Sequence, residues 1–292
     1  MAFIHGKKSR LAIGGFNIWG DFRSAQVNTA VDTADTSSFG ATVKTFVIGL
    51  VNTSASFGAL HNDTTNAVTN RMDSIIAQET AVPVSYAPGG FTIGKRTISF
   101  LAYETTGDIA GSSGDMVSAT YNAQATGVAG HGVSLCDLET VIAYNGGGNL
   151  TSVNNQATAW VTSTSYVKGD IRSQGTENYV CVTAHTSGTF ATDLAAGKWG
   201  DLGPFDSTSG ADLYLHLVAN TLNAGSVTVK VQHSTNGSSW ADLATFTSAN
   251  FGTVTSEKKS VAGTVNRYLR AVVTISGAAS GNLQLTVSAC RL

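Results

Sequence analysis

The chain is poor in charged residues, proline and cysteine. Asp, Glu, Lys and Arg make up only 12% of its 292 residues, about half of the ~25% typical of globular domains. The net charge of −2 gives no support to broad electrostatic capture of nucleic acid. Because the chain has only 3 Pro but 32 Gly, its turns must be made mostly by glycine, which favours β-structure with tight hairpins.

Signals for membranes, disulfides and metals are also lacking. No stretch approaches the ~20 apolar residues of a membrane span. The run LAIGGF after the basic start is too short for the apolar core of a secretory signal. Cys136, Cys181 and Cys290 are odd in number and widely spaced, so they predict neither a disulfide framework nor a zinc site. We therefore expect no cofactor, no membrane span and synthesis inside a cell with reduced thiols.

No motif of a known catalytic site is present. The sequence has no Gly-x-Ser-x-Gly nucleophile elbow, no phosphate loop and no His-Glu-x-x-His helix. His216 and His233 fall within strand patterns, which favours a place on a strand face over a ligand role. The segment GSSGD at Gly111 predicts a hairpin loop. No catalytic or metal-binding residue is predicted. No set of candidate catalytic residues supports an enzyme such as a polysaccharide depolymerase.

The first half combines short strand patterns with one helix pattern. Apolar β-branched and aromatic residues mark strands in FNIWGDFRSAQVN, TFVIGLVNTSASFGAL, AVPVSYAP, RTISFLAYE and DMVSATYNAQAT. Between the second and third of these, DTTNAVTNRMDSIIAQE predicts an amphipathic helix that covers one open face or edge of the sheet. Its apolar face comprises Val68, Met72, Ile75 and Ile76. Its first turn can be capped by Asp63, Thr64 or Thr65.

Two polar segments are candidate contact surfaces. The segment TAVDTADTSSFGATVK, from Thr29 to Lys44, predicts a loop so long that it is usually functional or disordered. Phe39 and Phe46 flank its later part, which favours a partner surface there. The second segment is the N-terminal run HGKKSR, with the cations Lys7, Lys8 and Arg10. A solvated tail is favoured for this run over an arm that docks on a neighbouring subunit.

The last part of the chain predicts a separate β-domain. Apolar and polar residues alternate in DLYLHLVA, SVTVKVQHS, WADLATFT, RYLRAVVTIS and NLQLTVSAC. Asn236 and Gly237, between the second and third of these segments, are a strong hairpin signal. About five or six strands in this space predict an antiparallel sandwich or jelly roll.

Taken in order, the N-terminal segments resemble the major tail tube proteins of long-tailed phages. The resemblance rests on FNIWGDFRSAQV, DTADTSSFGATVKTFVIGLVNTSASFGAL, the helix, GGFTIGKRTISFLAYE and GDMVSATYNAQATG, from residue 16 to residue 127. In many such proteins a Thr-rich loop ends in Phe-Gly and is followed by Lys, by Gly-Leu and by a second Gly strand. The matching positions are Thr36, Phe39, Gly40, Lys44, Gly49, Leu50 and Gly58. VTVKVQHSTNGSSWADLATFT and GTVNRYLRAVVTIS resemble the C-terminal sandwich that some of these proteins carry.

The resemblance implies a subunit of hexameric rings that stack into a tube, with a wall built from the sheets of all subunits. It implies that a contact loop bridges neighbouring subunits or rings, at Thr36, Phe39, Gly40, Lys44 and Phe46. It implies the same role for an N-terminal arm with Lys7, Lys8 and Arg10. The partners would be other copies of the chain and other tail proteins, while DNA passes through the lumen without specific binding. The protein would be assembled in the host cytoplasm and reside in the virion tail.

A stretch that begins at Ala159 resembles small chitin-binding-type carbohydrate modules. The matching residues are Ala159, Trp160, Tyr166, Gly169, Asp170, Tyr179, His185, Thr186 and Trp199. The chain departs from the pattern at Ala184, where those modules usually carry an aromatic residue just before His-Thr. The resemblance implies glycan contacts at Trp160, Tyr179 and Trp199. A core role is favoured for each of them, because so small a domain needs large aromatic residues inside.

These observations predict a mainly β chain in three parts. The parts are a tail-tube β-sandwich or barrel domain with one α-helix (1–136), a C-terminal antiparallel β-sandwich (137–156 with 205–292) and a small β insert (157–204). The insert is predicted because TVIAYNGGGNLTSVNN and STSGADLYLHL look like one continuous run in related chains that lack the module. Insertions are tolerated at exposed loops whose ends lie close together. The prediction requires Val141 to Val153 to pack with the sandwich.

Three function classes remain open at this point. The first is a structural virion protein, the tail tube subunit with outward decoration. The second is a glycan-binding adhesion protein of the virion or cell surface, and the third is an enzyme. A combination is favoured, in which tube formation comes first and weak binding to host-surface polysaccharide is an addition.

Overall fold

The computed structural model is mainly β, with antiparallel sheets and two short helices, which confirms the predicted fold class. It describes residues 6–18, 20–39, 42–62, 64, 67–76, 78–136, 138, 142–145, 153–154, 159–168, 170–174, 177–201, 209–235, 239–266, 268–277 and 279–292. Within these ranges, no helix has the length and apolar character needed to cross a membrane.

The elements fall into three groups along the chain. A 3-10 turn at Gly6–Lys8 is followed by β1 (Arg10–Ile13), β2 (Phe16–Asn17), β3 (Phe22–Asp35), β4 (Phe46–Leu60), α1 (Val68–Ile75), β5 (Val82–Ala87), β6 (Arg96–Ala110), β7 (Ser118–Ala125) and β8 (Gly130–Ser134). The middle group has β9 (Ile142–Asn145), β10 (Val153–Asn154), β11 (Ser165–Tyr166), β12 (Ile171–Gln174), β13 (Glu177–Cys181), β14 (His185–Thr186), α2 (Phe190–Ala195) and β15 (Trp199–Asp201). The last group has β16 (Ala211–Asn220), β17 (Ser226–Ser234), β18 (Ala241–Thr245), β19 (Ala249–Asn250), β20 (Thr255–Val261), β21 (Tyr268–Ser276) and β22 (Ser280–Arg291).

The long strand β6 organises a 12-stranded sheet. One edge of β6 pairs with β5, and the other pairs first with β8 and then with β7. From β7 the sheet continues to β4 and β3, and from β8 it continues to β22, β16 and β20. The sheet therefore forks at β6 into two branches. The first branch comprises β7, β4 and β3, and the second comprises β8, β22, β16 and β20.

Helix α1 covers the first branch, as its apolar face predicts. Val68, Met72 and Ile75 are buried in one cluster with Phe57, whereas Ile76 ends the helix and is half-buried. Short amphipathic helices gain most of their stability from such packing.

The predicted cap of α1 is wrong for Thr64, because the helix begins later and is capped from another segment. Its N-cap residue is Ala67, whose side chain makes no capping bond. The backbone amide of Val68 instead donates to the Asp21 carboxylate at 3.2 Å, and a carboxylate is favourable at this end of a helix. The other two predicted caps, Asp63 and Thr65, lie outside the described residues.

The predicted long loop is shorter than expected, because its first residues continue a strand. Strand β3 runs to Asp35 and pairs with β4, for example through Thr29 with Thr53 and Val31 with Val51. The hydroxyl oxygens of Thr29 and Thr53 lie 3.3 Å apart. Thr and Val favour strands when a partner strand is present, and β4 supplies it. The connecting segment is reduced to residues 36–45.

The second branch forms one layer of the predicted sandwich. β22 and β16 lie in this layer, and the facing sheet has the order β10-β21-β17-β18, with β19 on β17. Inward residues of both layers form one buried core, which includes Leu213, Leu215, Val229, Val273 and Val287. The Asn236-Gly237 turn lies outside the described residues, but the flanking strands β17 and β18 pair antiparallel.

The two branches meet at a tight polar joint. β8 pairs with β22, with Ser134 opposite Ser288, and a Cβ at Gly132 would lie 2.2 Å from the backbone oxygen of Ala289. His216 is fully buried here, and its Nε2 lies 3.0 Å from the Ser85 hydroxyl. Burial lowers the pKa of His216 to about 3, so this histidine is neutral near pH 7.

Residues 159–201 form a small module between two sandwich strands. It contains the pair β11–β14, the sheet β12-β13-β15 and α2, around a core of Tyr166, Cys181 and Trp199. Before it, β9 pairs with β22 and β10 pairs with β21, and after it β16 pairs with β22. The strands on both sides of the module therefore belong to the sandwich sheets.

Candidate assembly surface

Strands β3, β4, β7 and the outer part of β6 form a four-stranded antiparallel ribbon. Their register places Ser56 opposite Asn122, and Asn122 opposite Thr106. Alternate residues such as Phe57 and Tyr121 are buried on the core face of the ribbon. The opposite face carries no second layer among the described elements, so the ribbon has one covered and one open side.

Both outer edges of this ribbon are unpaired within the described part of the chain. β3 pairs only with β4, and the 105–110 stretch of β6 pairs only with β7. All residues of that stretch are exposed. Exposed strand edges present unpaired backbone groups that template pairing with another chain. The ribbon thus offers one edge to a copy on each side.

The outer half of the β3–β4 hairpin, residues 29–53, projects as an arm with apolar side chains in solvent. The exposed apolar residues of the arm are Val31, Phe39, Val43, Phe46, Val47, Ile48, Leu50 and Val51, with exposures from 40% to 110%. Contiguous exposed apolar surface of this kind marks an interaction site. The arm is therefore the strongest candidate contact surface of the molecule.

The predicted contact loop lies at the tip of this arm. Thr36 and Thr45 hydroxyl oxygens are 3.0 Å apart, and Lys44 Nζ lies 3.7 Å from Asp35 Oδ2. Hydrogen bonds from Ser37 lower the pKa of Asp35. Phe39 is fully exposed at the tip. The structure brings these predicted residues together with Phe46 at the end of one hairpin, whereas Gly40 lies outside the described residues.

The predicted N-terminal arm lies at the other end of β3. Lys7 and Lys8 belong to the 3-10 turn, and an Arg10 guanidinium nitrogen donates to the Lys7 backbone oxygen at 3.1 Å. Together with Arg23 and Tyr86, this segment lines a surface cavity of about 480 Å³. The cationic segment therefore borders the beginning of the β3 edge.

The structure also reveals a buried carboxyl group that the sequence analysis did not single out. Glu104 is only 6% exposed, and neither carboxyl oxygen has a hydrogen-bond partner among the described residues. Burial, with a smaller effect of the nearby Asp73 charge, raises the pKa of Glu104 to about 8. Alternation through Phe100 and Ala102 would have placed it inward. It lies at a bulge where β6 leaves the core and enters the open ribbon.

The open side of the ribbon carries hydroxyl and amide side chains. We call it the hydroxyl–amide face, and its residues are Ser24, Gln26, Asn28, Ser54, Ser56, Thr106, Thr120, Asn122 and Gln124. Gln124 Nε2 donates to Asn52 Oδ1 at 2.6 Å, and Asn122 Nδ2 donates to Thr106 Oγ1 at 2.7 Å. Two of the four amides of this face, Asn122 and Gln124, are therefore bonded to neighbouring residues of the ribbon.

In the module, the three predicted glycan residues have different surroundings. Trp199 is 3% exposed, and its ring centroid lies 5.1 Å from that of Tyr166. Trp160 and Tyr179 are half-buried and contact Phe190 from two sides, with centroid distances of 5.6 Å and 4.7 Å. Phe190, which the sequence analysis did not name, joins these two rings into one aromatic row.

The module also contains a cysteine, a histidine and an aspartate in a row. Cys181 Sγ lies 3.8 Å from His185 Nδ1, and His185 Nε2 lies 3.4 Å from Asp193 Oδ2. Lys198 lies 2.9 Å from the other oxygen, and its hydrogen bond lowers the pKa of Asp193. Burial raises the pKa of Cys181, which is 0% exposed. A reactive thiol needs exposure and a lowered pKa, so this arrangement stabilises the module and does not provide a nucleophile.

Comparison with known proteins gives distant structural likenesses. No family model matches the chain, and no curated protein matches it. The solved structures that match include chains of phage and gene transfer agent particles. A chain of the native gene transfer agent virion is 16% identical, covers 44% of this chain and 97% of its own, and has a TM-score of 0.37.

Two further matches have the same character. A chain from the tail of an empty gene transfer agent particle, computed with C6 symmetry, is 16% identical and covers 37% of this chain and 80% of its own, with a TM-score of 0.32. A chain of the phage p2 baseplate, in its activated conformation with Sr, is 11% identical and covers 97% of this chain and 98% of its own, also at 0.32.

Proposed function

We propose that the chain is the major tail tube subunit of a phage, which closes into hexameric rings that stack into a conduit for DNA. The observation that carries the proposal is the pair of unpaired edges on one ribbon. Closing a sheet with copies of itself removes its edges, and rotational symmetry makes every contact the same.

Ring closure would pair the β3 edge of one copy with residues 105–110 of the next. Each pairing adds backbone hydrogen bonds and continues the buried core of one subunit into its neighbour. The arm then lies across an adjacent subunit or ring and buries its apolar side chains, at about 25 cal/mol per Å² of apolar surface. The cationic N-terminal segment, next to the beginning of β3, adds a second contact.

The three-part division of the chain fits this role. We propose a tube domain at 1–136, a sandwich at 137–156 with 205–292, and an inserted module at 157–204. The pairing of β9 and β10 with β22 and β21 supports the placement of the segment before the module in the sandwich. Sandwich and module would decorate the outside of the tube in the virion, where other tail proteins are further partners.

The test is assembly of purified protein at high concentration, followed by negative-stain imaging and sedimentation. The variant Phe46→Asp/Ile48→Asp changes two exposed arm residues, so we expect a folded monomer that forms no tubes. The control is Phe251→Asp, because Phe251 is 55% exposed, as is Phe46, but lies in the C-terminal part. Wild-type protein that stays monomeric would contradict the proposal, as would tubes formed equally well by the arm variant.

A second candidate function is glycan binding by the module, favoured by the half-buried aromatic row of Trp160, Phe190 and Tyr179. Aromatic faces stack on sugar rings, and this row is the part of the module core that reaches the surface. We expect Trp160→Ala to abolish any retention on chitin or host polysaccharide, whereas the exposed Val167→Ala is the matched control. Equal retention of both variants, or none by the wild type, would remove this function.

A further inference from the structure

We propose that the hydroxyl–amide face lines the lumen of the assembled tube, and that duplex DNA passes over it without being held by fixed charge. This inference rests on the proposed tube function and adds which surface meets the DNA. Three observations support it: the position of the second layer of the fold, the chemistry of the face, and the hydrogen bonds made within it.

Among the described elements, the second layer lies on the other side of the ribbon. Phe57 on the core face belongs to one buried cluster with Met72 of α1, Leu11 of β1 and Val84 of β5. When copies close into a ring, the inner side has the smaller circumference and has no room for a second layer. The bulky side must therefore point outward, and the hydroxyl–amide face must point inward.

The chemistry of the face suits a surface that does not retain DNA. Protein side chains hold duplex DNA mainly when Lys or Arg displaces counterions from phosphates. None of the nine positions of the face carries a cation. The margins of the face carry the anions Asp32 and Asp108, and at the end where β3 begins they also carry the cation Arg23, which lines a surface cavity with Ala110 and Ser118. A phosphate backbone therefore meets neutral dipoles along the wall, and fixed charges of either sign lie only at its margins.

Hydrogen bonds within the face limit the donors that DNA can find. Gln124 Nε2 donates to the Asn52 side chain and also to the Thr53 backbone oxygen at 2.9 Å. Asn122 donates to Thr106, and the Thr105 hydroxyl donates to the Asn122 backbone oxygen at 3.1 Å. Asn and Gln read bases and contact phosphates through the same groups. Because Asn122 and Gln124 donate to residues of the ribbon itself, these two amides have fewer donors left for DNA, which favours sliding over binding.

Cysteine labelling of assembled tubes tests the orientation of the face. The native cysteines are buried, so Gln26→Cys on the face and Thr264→Cys in the C-terminal part provide the reactive thiols. We expect biotin-maleimide to label both variants. Added streptavidin should then bind along the whole tube for Thr264→Cys, but only at tube ends for Gln26→Cys.

Streptavidin along the wall of intact Gln26→Cys tubes would overturn the lumen assignment while leaving the tube function in place. Protein that forms no rings or tubes would overturn the tube function and, with it, this inference. The two failures are therefore distinguishable in one image.

Charge substitution tests the second half of the proposal. Tubes of Gln26→Lys/Ser56→Lys are compared with wild-type and Thr264→Lys tubes for retention of a short DNA duplex. We expect the double variant to hold the duplex and to lose more than about tenfold in affinity between about 50 mM and 200 mM salt. Wild-type and control tubes should retain little duplex at either concentration. Wild-type tubes with the same strong, salt-dependent retention would overturn the proposal.

Discussion

The ribbon and the C-terminal sandwich are both antiparallel β-structures, but only the sandwich is complete within one chain. Leu215 and Val273 come from opposite sheets of the sandwich and are buried against each other's layer. In the arm, Ile48 and Leu50 are 76% and 80% exposed. Large aliphatic side chains are thus buried in the sandwich, where a facing sheet covers them, and exposed in the arm, where no described element of the chain covers them. The exposed apolar side chains of the arm have the character of one half of an interface, as the proposed assembly requires.

One substitution made in both regions should show the largest difference. Leu215→Ala leaves a cavity in the sandwich core and should cost about 2–5 kcal/mol of unfolding free energy. Leu50→Ala removes the same atoms from an exposed arm and should change the stability of the dilute monomer by less than about 0.5 kcal/mol. Denaturant titration of both variants measures the difference. Equal losses would show that the arm packs within its own chain.

The joint between the two regions should be nearly as sensitive as the core. Gly132→Ala places a Cβ 2.2 Å from a backbone oxygen of β22, so one strand must shift, at a cost of about 1–3 kcal/mol. The control is Gly127→Ala, where nothing lies within 4 Å. Thermal melts of the two variants compare them. If Gly132→Ala melted like the control, the two branches would not be rigidly joined.

A smaller effect should appear in the pH dependence of stability, which Glu104 of the ribbon and Asp242 of the sandwich should affect in opposite directions. The pKa of Glu104 is raised from 4.5 to about 8, so the folded state keeps a proton that the unfolded chain releases between these values. Unfolding free energy should therefore fall as pH rises through this window, and Glu104→Gln should flatten the decline. Melting temperatures from pH 5 to 9 test this, with the exposed Glu79→Gln as control. An unchanged slope in Glu104→Gln would refute it.

The smallest effect is expected on the sandwich surface. Lys230 Nζ lies 2.7 Å from Asp242 Oδ2, and this hydrogen bond lowers the pKa of Asp242. The pair should stabilise the fold above the ordinary carboxyl pKa and lose its effect as pH falls through the lowered value. Because the side chains of Lys230 and Asp242 are 36% and 47% exposed, solvent screens the pair, and Asp242→Asn should cost only ~0.2–1 kcal/mol. High salt should reduce this cost, and a salt-independent loss would contradict the assignment.

The sandwich could be predicted well because its own core imposes a strict period of two. In SVTVKVQHS, for example, Val227, Val229 and Val231 alternate with polar residues, and all three are buried. Its edge strand β20 was missed, because TSEKKSV pairs with β16 on one side only. Charged residues such as Lys258 are favoured at such an edge, and they remove the alternation that marks a strand.

The ribbon was predicted less accurately, because its pairing depends on residues far along the chain. Thr29 to Asp35 look like a polar loop until β4 provides the partner strand. The start of α1 depends on Asp21, 47 positions before the amide that it accepts from. Of the candidate site, the sequence identified the tip residues at the arm but not the two unpaired edges, which exist only once the register of four strands is known.

The cysteines have a consequence for how an assembly of this protein is held together. Cys136, Cys181 and Cys290 are at most 1% exposed, and no disulfide joins them. A covalent link between copies would require a core to open first. In the proposed assembly, subunits would therefore associate without disulfides, and a denaturant without reductant should return the assembly to single chains on a non-reducing gel. The stability of such a particle would come from many noncovalent contacts that symmetry repeats, and not from covalent bonds between subunits.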